Sequence, residues 1–274
     1  MSTSPESRWR SEAEFFDAQA RKNEHTIRSL DPAVIARYAG ATLGTARYPL
    51  EYAFALAGDL TNLSVLDVGC GEGANSVLLA KLGARVTGID ISPAAIDVAR
   101  RRAAANSVSE RVAFTVSPLE NVDNWDNKFD LIWCEAFLHH VLGDLETIVN
   151  RLVSWLAPNG RMIILEPIAQ SNTLRALRRV IPLKADATPD ERPLSASELR
   201  FIQQTVPQSS TRYFRCFGRL ARFSLPDGSY EHASAPRRHV TDLLAAMDEA
   251  LFRLPGTTRF ASIAVISGTR RTAT

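Results

Sequence analysis

Gly69, Gly71 and Gly73 follow the aliphatic run Val65, Leu66, Asp67, Val68, and Asp90 closes the next such run. Glycines at a strand-to-helix turn let the backbone approach a ligand closely and take positive φ at no steric cost, with the helix N–H groups facing it. A carboxylate at the end of the following strand can accept hydrogen bonds from both hydroxyls of a ribose. The two features together imply a nucleoside-bearing cofactor. Gly69, Gly71 and Ala74 also satisfy a dinucleotide pattern. Asp67 separates the two readings, because a carboxylate there repels a pyrophosphate and attracts a cationic ligand.

A second set of reactive types, Glu135, His139 and His140, comes just after the run Phe129 to Cys134. An imidazole accepts a proton near neutral pH. Adjacent residues on a helical turn diverge by about 100°, so at most one histidine of the pair faces a given reacting atom. Cys70, Cys134 and Cys216 are too few and too far apart for a disulfide framework or a paired-cysteine metal site. No HExxH or carboxylate cluster with ligand spacing occurs, so no metal is expected, and His25, His232 and His239 stand isolated.

The elements that must position these residues alternate between short β-branched runs and helical patterns from Ser64 onward, which predicts parallel βαβ units. Strands are expected at Ser64 to Val68, Arg85 to Asp90, Val112 to Val116, Asp130 to Glu135 and Arg161 to Glu166. Helices are expected at Ala74 to Leu82, from Pro93 with Ser92 as N-cap, and at Leu145 to Trp155, the last closed by Pro158, Asn159 and Gly160. Residues 170–210 break the rhythm with helical stretches at Thr173 to Val180 and Ser195 to Thr205, read as an insertion over the sheet. Tyr213 to Phe217 and Phe260 to Ser267 read as late strands around a helix at Val240 to Phe252. Residues 1–50 read as a helical extension, and 51–274 as one domain carrying the insertion.

The chain has 274 residues, 45% hydrophobic and 23% charged, enough for a large core without disulfides and unlike a disordered or collagenous chain. No apolar run reaches the length of a membrane span and the N-terminus lacks a signal-peptide core, so a cytoplasmic protein is expected. The formal net charge is +2, with the positive excess concentrated in residues 171–274. That is far from the charge of a nucleic-acid-binding domain, yet it favours small anionic ligands near that end.

The segments VLDVGCGEG (65–73), VTGIDIS (86–92), FDLIWCEAFLHHV (129–141) and LAPNGRMIILEP (156–167) stand in the order and spacing of the class I S-adenosylmethionine-dependent methyltransferases. Over residues 50–170 the chain resembles their small-molecule branch, which includes ubiquinone, menaquinone and natural-product methyltransferases. The resemblance implies an α/β fold with a Rossmann-like seven-stranded, mostly parallel sheet. Its last strand is antiparallel, helices lie on both faces, N-terminal helices are added, and a helical cover follows strand 5. It also implies S-adenosyl-L-methionine as cofactor, with Asp67 beside its charges, Gly69, Cys70, Gly71 and Cys134 near the methionine part, Asp90 on the ribose and Ile91 on the adenine.

Where the family often has an Asp-Ala pair for the adenine, this chain has Pro118 and Leu119; the Leu119 backbone and Glu120 are the candidates there. Among Tyr38, Tyr48 and Tyr52, Tyr48 is the candidate to close on the donor. The activity implied is methyl transfer to a small metabolite, at oxygen if His139, His140 or Glu135 takes a proton. The LHH segment as a structural helix start is the competing reading. A nicotinamide-dependent oxidoreductase and a cofactor-binding module without turnover are the alternatives in function. The acceptor is expected to be small and anionic or polar, met by arginines of the cover such as Arg175, Arg178 and Arg179, in a monomer or homodimer.

Overall fold

A computed structural model describes residues 5–23, 27–122, 125–126, 128–170, 192–225 and 230–271. The helix expected at Thr173 to Val180, with Arg175, Arg178 and Arg179, lies outside the described residues. Seven strands form one sheet in the order β3-β2-β1-β4-β5-β7-β6. They are β1 (Ser64–Val68), β2 (Arg85–Asp90), β3 (Val112–Val116), β4 (Phe129–Glu135), β5 (Leu156–Pro167), β6 (Ser210–Phe214) and β7 (Ile263–Thr269). The first five pair in parallel, and β7 runs antiparallel to both neighbours, β5 and β6.

The helices are α1 (Pro5–Asn23), α2 (Pro32–Ala39), α3 (Pro49–Ala57), α4 (Ala74–Lys81), α5 (Pro93–Ala105), α6 (Leu145–Trp155), α7 (Ala196–Thr205) and α8 (Ala235–Phe252), with a further single turn at Ala221–Ser224. Alternate residues of β1 serve opposite faces, as the pleat requires. Leu66 and Val68 join a core with α6 and α7, whereas Val65 joins one with α3 and α4. Ser92 caps α5 by accepting the Ala95 N–H, and Ser195 with Glu198 forms a capping box on α7. No helix among the described residues is long and apolar enough to cross a membrane.

Several boundaries differ from expectation. β5 starts at Leu156, so Pro158, Asn159 and Gly160 do not end α6 but lie within the strand. The chain beyond β7 holds them there: Asn159 N–H donates to Arg270 O at 2.7 Å and Arg270 N–H to Gly160 O at 2.9 Å. β6 ends at Phe214 rather than Phe217, because Asp248 on α8 accepts the N–H groups of Cys216, Phe217 and Gly218 and draws them off the sheet. α8 begins at Ala235, five residues before Val240, since Pro236 is tolerated in a first turn; β7 begins after a 3-10 turn at Thr257–Phe260.

The chain leaves β1 for β2 and β3 on one side and β4 for β5 on the other, so a crevice opens beyond the carboxyl ends of β1 and β4. The glycine turn and the segment after Glu135 meet there.

Candidate functional site

Two cavities lie beyond these strand ends. The first, about 400 Å³, is walled by the glycine turn, Asp90, Ile91 and the 117–120 segment. Gly69 has φ +65, and a Cβ on it would come within 2.6 Å of the Phe137 ring, so only glycine lets the turns after β1 and β4 pack together. Gly71 has φ +50, and a Cβ there would meet nothing within 4 Å because the residue faces the opening. Asp90 holds this turn: its Oδ2 accepts the Gly71 N–H at 2.8 Å and its Oδ1 the Ser92 N–H at 2.9 Å. Burial pushes the Asp90 pKa up while those backbone bonds pull it down.

Helix α1 roofs this cavity. Trp9, Glu12, Phe16, Gln19, Ala20 and Asn23 line it, a spacing that sets them on one helical face. The roof is pinned at three points. Asp17 accepts from the Ser92 hydroxyl at 2.5 Å and the Ala94 N–H at 3.0 Å. Arg8 pairs with Glu120 and Asp144, each at 2.8 Å, and Asn23 donates to Glu72. The sequence reading missed these residues, although their repeat of three and four was visible.

Leu119 and Glu120 also line the first cavity; Glu120 Oε1 accepts from Arg8 and, at 3.2 Å, from the Trp9 indole. Asp67 lines neither cavity. It is 2% exposed, accepts the Ser76 hydroxyl at 2.5 Å, and is pushed up to about 7 by burial and by Glu135 and Asp90. Cys70 and Cys134 are buried, and burial raises both thiol pKa values; neither side chain is part of a cavity wall.

The second cavity, about 510 Å³, lies between the ends of β4 to β6, the start of α3 and α8. Ala136, with φ +53, belongs to both walls and marks where the cavities meet. Beyond it the histidine pair splits: His139 faces the second cavity and His140 the first, where its ring stands edge-on to Phe16 at 5.4 Å. His139 Nδ1 lies 2.7 Å from Glu166 Oε2, and Glu166 Oε1 accepts the N–H groups of Phe137 and Leu138 at 2.8 and 2.7 Å. Glu166 is fully buried at the end of β5. Its grip on the histidine depends on β4 and β5 lying side by side, a pairing that spacing along the chain does not reveal.

Glu135 lines the second cavity and accepts the Asn75 amide at 2.5 Å, with burial raising its pKa. Tyr48, expected at the donor, lines the second cavity and not the first. Its hydroxyl donates to Asp242 at 2.7 Å, joined there by Tyr230, and burial pushes its pKa up. Arg37 stacks over Tyr48 and Tyr230, at 5.1 and 4.4 Å from the ring centres, while bonded to Glu51 and Glu231.

Residues 65–160 match a family model described as a methyltransferase domain. The ubiquinone biosynthesis O-methyltransferase of Bartonella tribocorum is 36% identical over 103 residues, 38% of this chain and 40% of that protein. The chloroplastic tocopherol O-methyltransferase of Arabidopsis thaliana is 41% identical over 101 residues, 36% of this chain and 29% of that protein. The matches thus span less than half the length of these relatives.

Among solved structures, geranyl diphosphate C-methyltransferase from Streptomyces coelicolor superposes with TM-score 0.59 at 15% identity, covering 96% of this chain and 97% of that one. The cyclase SpnF gives 0.55 at 18%, covering 88% and 81%. A cyclase and a methyltransferase on one fold show that the fold alone does not choose the reaction. The segment matched in sequence holds the glycine turn, Asp90 and the Ala136 turn, and over those residues the chain is similar to a methyltransferase domain.

Proposed function

We propose that this protein transfers a methyl group from S-adenosylmethionine, held in the first cavity, to the oxygen of a small molecule in the second. The observation that carries this reading is the meeting of the two cavities at Ala136, with His139 facing the second and fixed by Glu166. The first cavity fits the donor on its own chemistry: glycines leave its floor open, Asp90 presents a carboxylate, and Ile91 and Leu119 supply apolar walls for a base. When bound, the donor supplies a methyl group on a sulfonium, ready for in-line displacement.

The chain's residues then have separate tasks. Asp90 keeps acceptor capacity for the ribose hydroxyls beyond its two backbone bonds. The α1 roof excludes water from the donor. A carboxylate at Nδ1 selects the Nδ1–H tautomer of His139, which puts the lone pair on Nε2, where it can take the acceptor hydroxyl's proton. Oxygen is favoured because a hydroxyl has a proton for that base to remove, and the names of the relatives point the same way.

The test has two arms. Calorimetry should show that S-adenosylhomocysteine binds and NAD does not, and that Asp90→Ala weakens binding by roughly 1.5–3 kcal/mol. Release of S-adenosylhomocysteine over a panel of hydroxylated metabolites should fall about 10²–10⁴-fold in His139→Ala with donor affinity kept. Binding of NAD in place of S-adenosylhomocysteine would overturn the donor assignment, and full turnover in His139→Ala would overturn the base.

A further inference from the structure

The charged groups on the second cavity differ in how far their hydrogen-bonding capacity is already used. Arg37 is held by Glu51 and Glu231. Asp248 accepts three backbone N–H groups, from Cys216, Phe217 and Gly218, at 3.1, 2.7 and 3.1 Å. Glu135 accepts the Asn75 amide. Arg215 and Arg47 are the contrast: both line the cavity, and neither guanidinium makes a hydrogen bond or ion pair with any described residue, but Arg215 lies on the side of Glu135 and Asp248 whereas Arg47 precedes α3. Glu135 and Asp248 attract Arg215 only from a distance.

Its backbone is held in place. Arg215 follows the last residue of β6 with φ +63, a left-handed conformation that a non-glycine residue rarely takes. The Ser262 hydroxyl donates to Arg215 O at 2.6 Å, and Asp248 grips the three residues that follow. A fixed backbone thus presents a guanidinium with unused donors, open to solvent, to the same cavity that His139 faces.

We infer that Arg215 anchors an anionic group, a carboxylate or a phosphate, on the acceptor molecule, an inference that rests on the second cavity being the acceptor site. A guanidinium grips such a group in two places and stays protonated on burial. Glu135 and Asp248 keep their own acceptor capacity partly filled by Asn75 and by backbone N–H groups, so the anion belongs at Arg215 and the reacting hydroxyl at His139. The anchor therefore fixes which end of the acceptor meets the donor as well as which acceptors enter.

The experiment titrates the protein, with and without saturating S-adenosylhomocysteine, with 4-hydroxybenzoate, phenyl phosphate and 4-hydroxybenzamide, following heat. The wild-type protein should bind one of the two anions at least about 10-fold more tightly than the amide. The anion that prevails identifies the group. Arg215→Gln should erase that difference by weakening the anion alone, Arg215→Lys should restore part of it, Arg47→Gln, lining the same cavity, should leave most of it, and Arg253→Gln, exposed and on neither cavity, should leave it intact. Equal binding of anion and amide, binding of none, or a preference that survives Arg215→Gln would overturn the anchor. Failure of S-adenosylhomocysteine to bind would instead sink the transferase reading, while the titrations without it still decide the anion site.

Discussion

The two cavities are built by different means. The first is floored by main-chain atoms and short side chains from consecutive strand ends, with Gly71 N–H and Asp90 only 19 positions apart. The second is walled by long side chains drawn from distant parts of the chain: Tyr48 reaches Asp242 and Arg37 reaches Glu231, each across 194 positions. Where the first cavity's floor is main chain at the glycine turn, replacing a side chain does not remove its N–H donors, so variation there is confined to Asp90 and the roof. A site built from side chains can be retuned residue by residue. The division suits an enzyme whose donor is common to many reactions and whose acceptor is its own.

The most severe way to break this division is Glu166→Gln. Glu166 touches neither cavity's contents but fixes His139 and the turn leading to it. Loss of the carboxylate removes the charge that stabilises an imidazolium, so the histidine's pKa falls and the acidic limb of kcat/KM moves to lower pH. Turnover should drop about 10²-fold or more with unchanged affinity for S-adenosylhomocysteine. A merely structural Glu166 would leave the pH profile where it was.

The same contrast explains what could be read from the sequence. The limits of β1, β2 and β3 follow directly from β-branched runs bounded by glycine, Asp90 and Ser117, because each is a local preference. β6 was misplaced by three residues because Asp248, on α8, ends it from a distance. Asp90 stands out by its place after the glycine turn, whereas nothing near Tyr48 in sequence announces its partners Asp242 and Tyr230. Glu166 fell between: its strand was expected, but its partnership with His139 exists only once β4 and β5 are paired. Helix α1 was legible in its period and went unread because its contacts are to α5 and the 120 turn rather than to its own neighbours.

An effect on stability tests whether the first cavity's framework also serves the donor's charge. Asp67 has a pKa of about 7 in the folded chain, above its unfolded value near 3.9, so the folded state binds the extra proton in between. The stability linked to that proton is fully present below about pH 4 and is lost as pH rises through 7. Asp67→Asn, whose carbonyl can still accept from Ser76, should escape that loss and gain roughly 4 kcal/mol over wild type in urea denaturation at pH 8 compared with pH 4. If Asp67 supports the donor's positive charge, the same variant should weaken S-adenosylmethionine more than S-adenosylhomocysteine, which lacks the sulfonium. Equal weakening would limit Asp67 to holding Ser76 and α4.

The mildest substitution, Tyr48→Phe, asks which cavity Tyr48 serves. The hydroxyl donates to Asp242, and that carboxylate keeps the Tyr230 hydroxyl at 2.9 Å when Tyr48 loses its own. Because Asp242 is not orphaned, the cost in stability should stay near 1 kcal/mol, below that of stripping a buried charge. The ring remains for Arg37 to stack on, so the wall of the second cavity keeps its shape. Placement in that wall predicts a change of about three-fold in the acceptor's KM, with affinity for S-adenosylhomocysteine unchanged in calorimetry. A weaker donor complex with an unaltered acceptor KM would return Tyr48 to the donor side, and the two cavities would then share a side chain that the structure assigns to one.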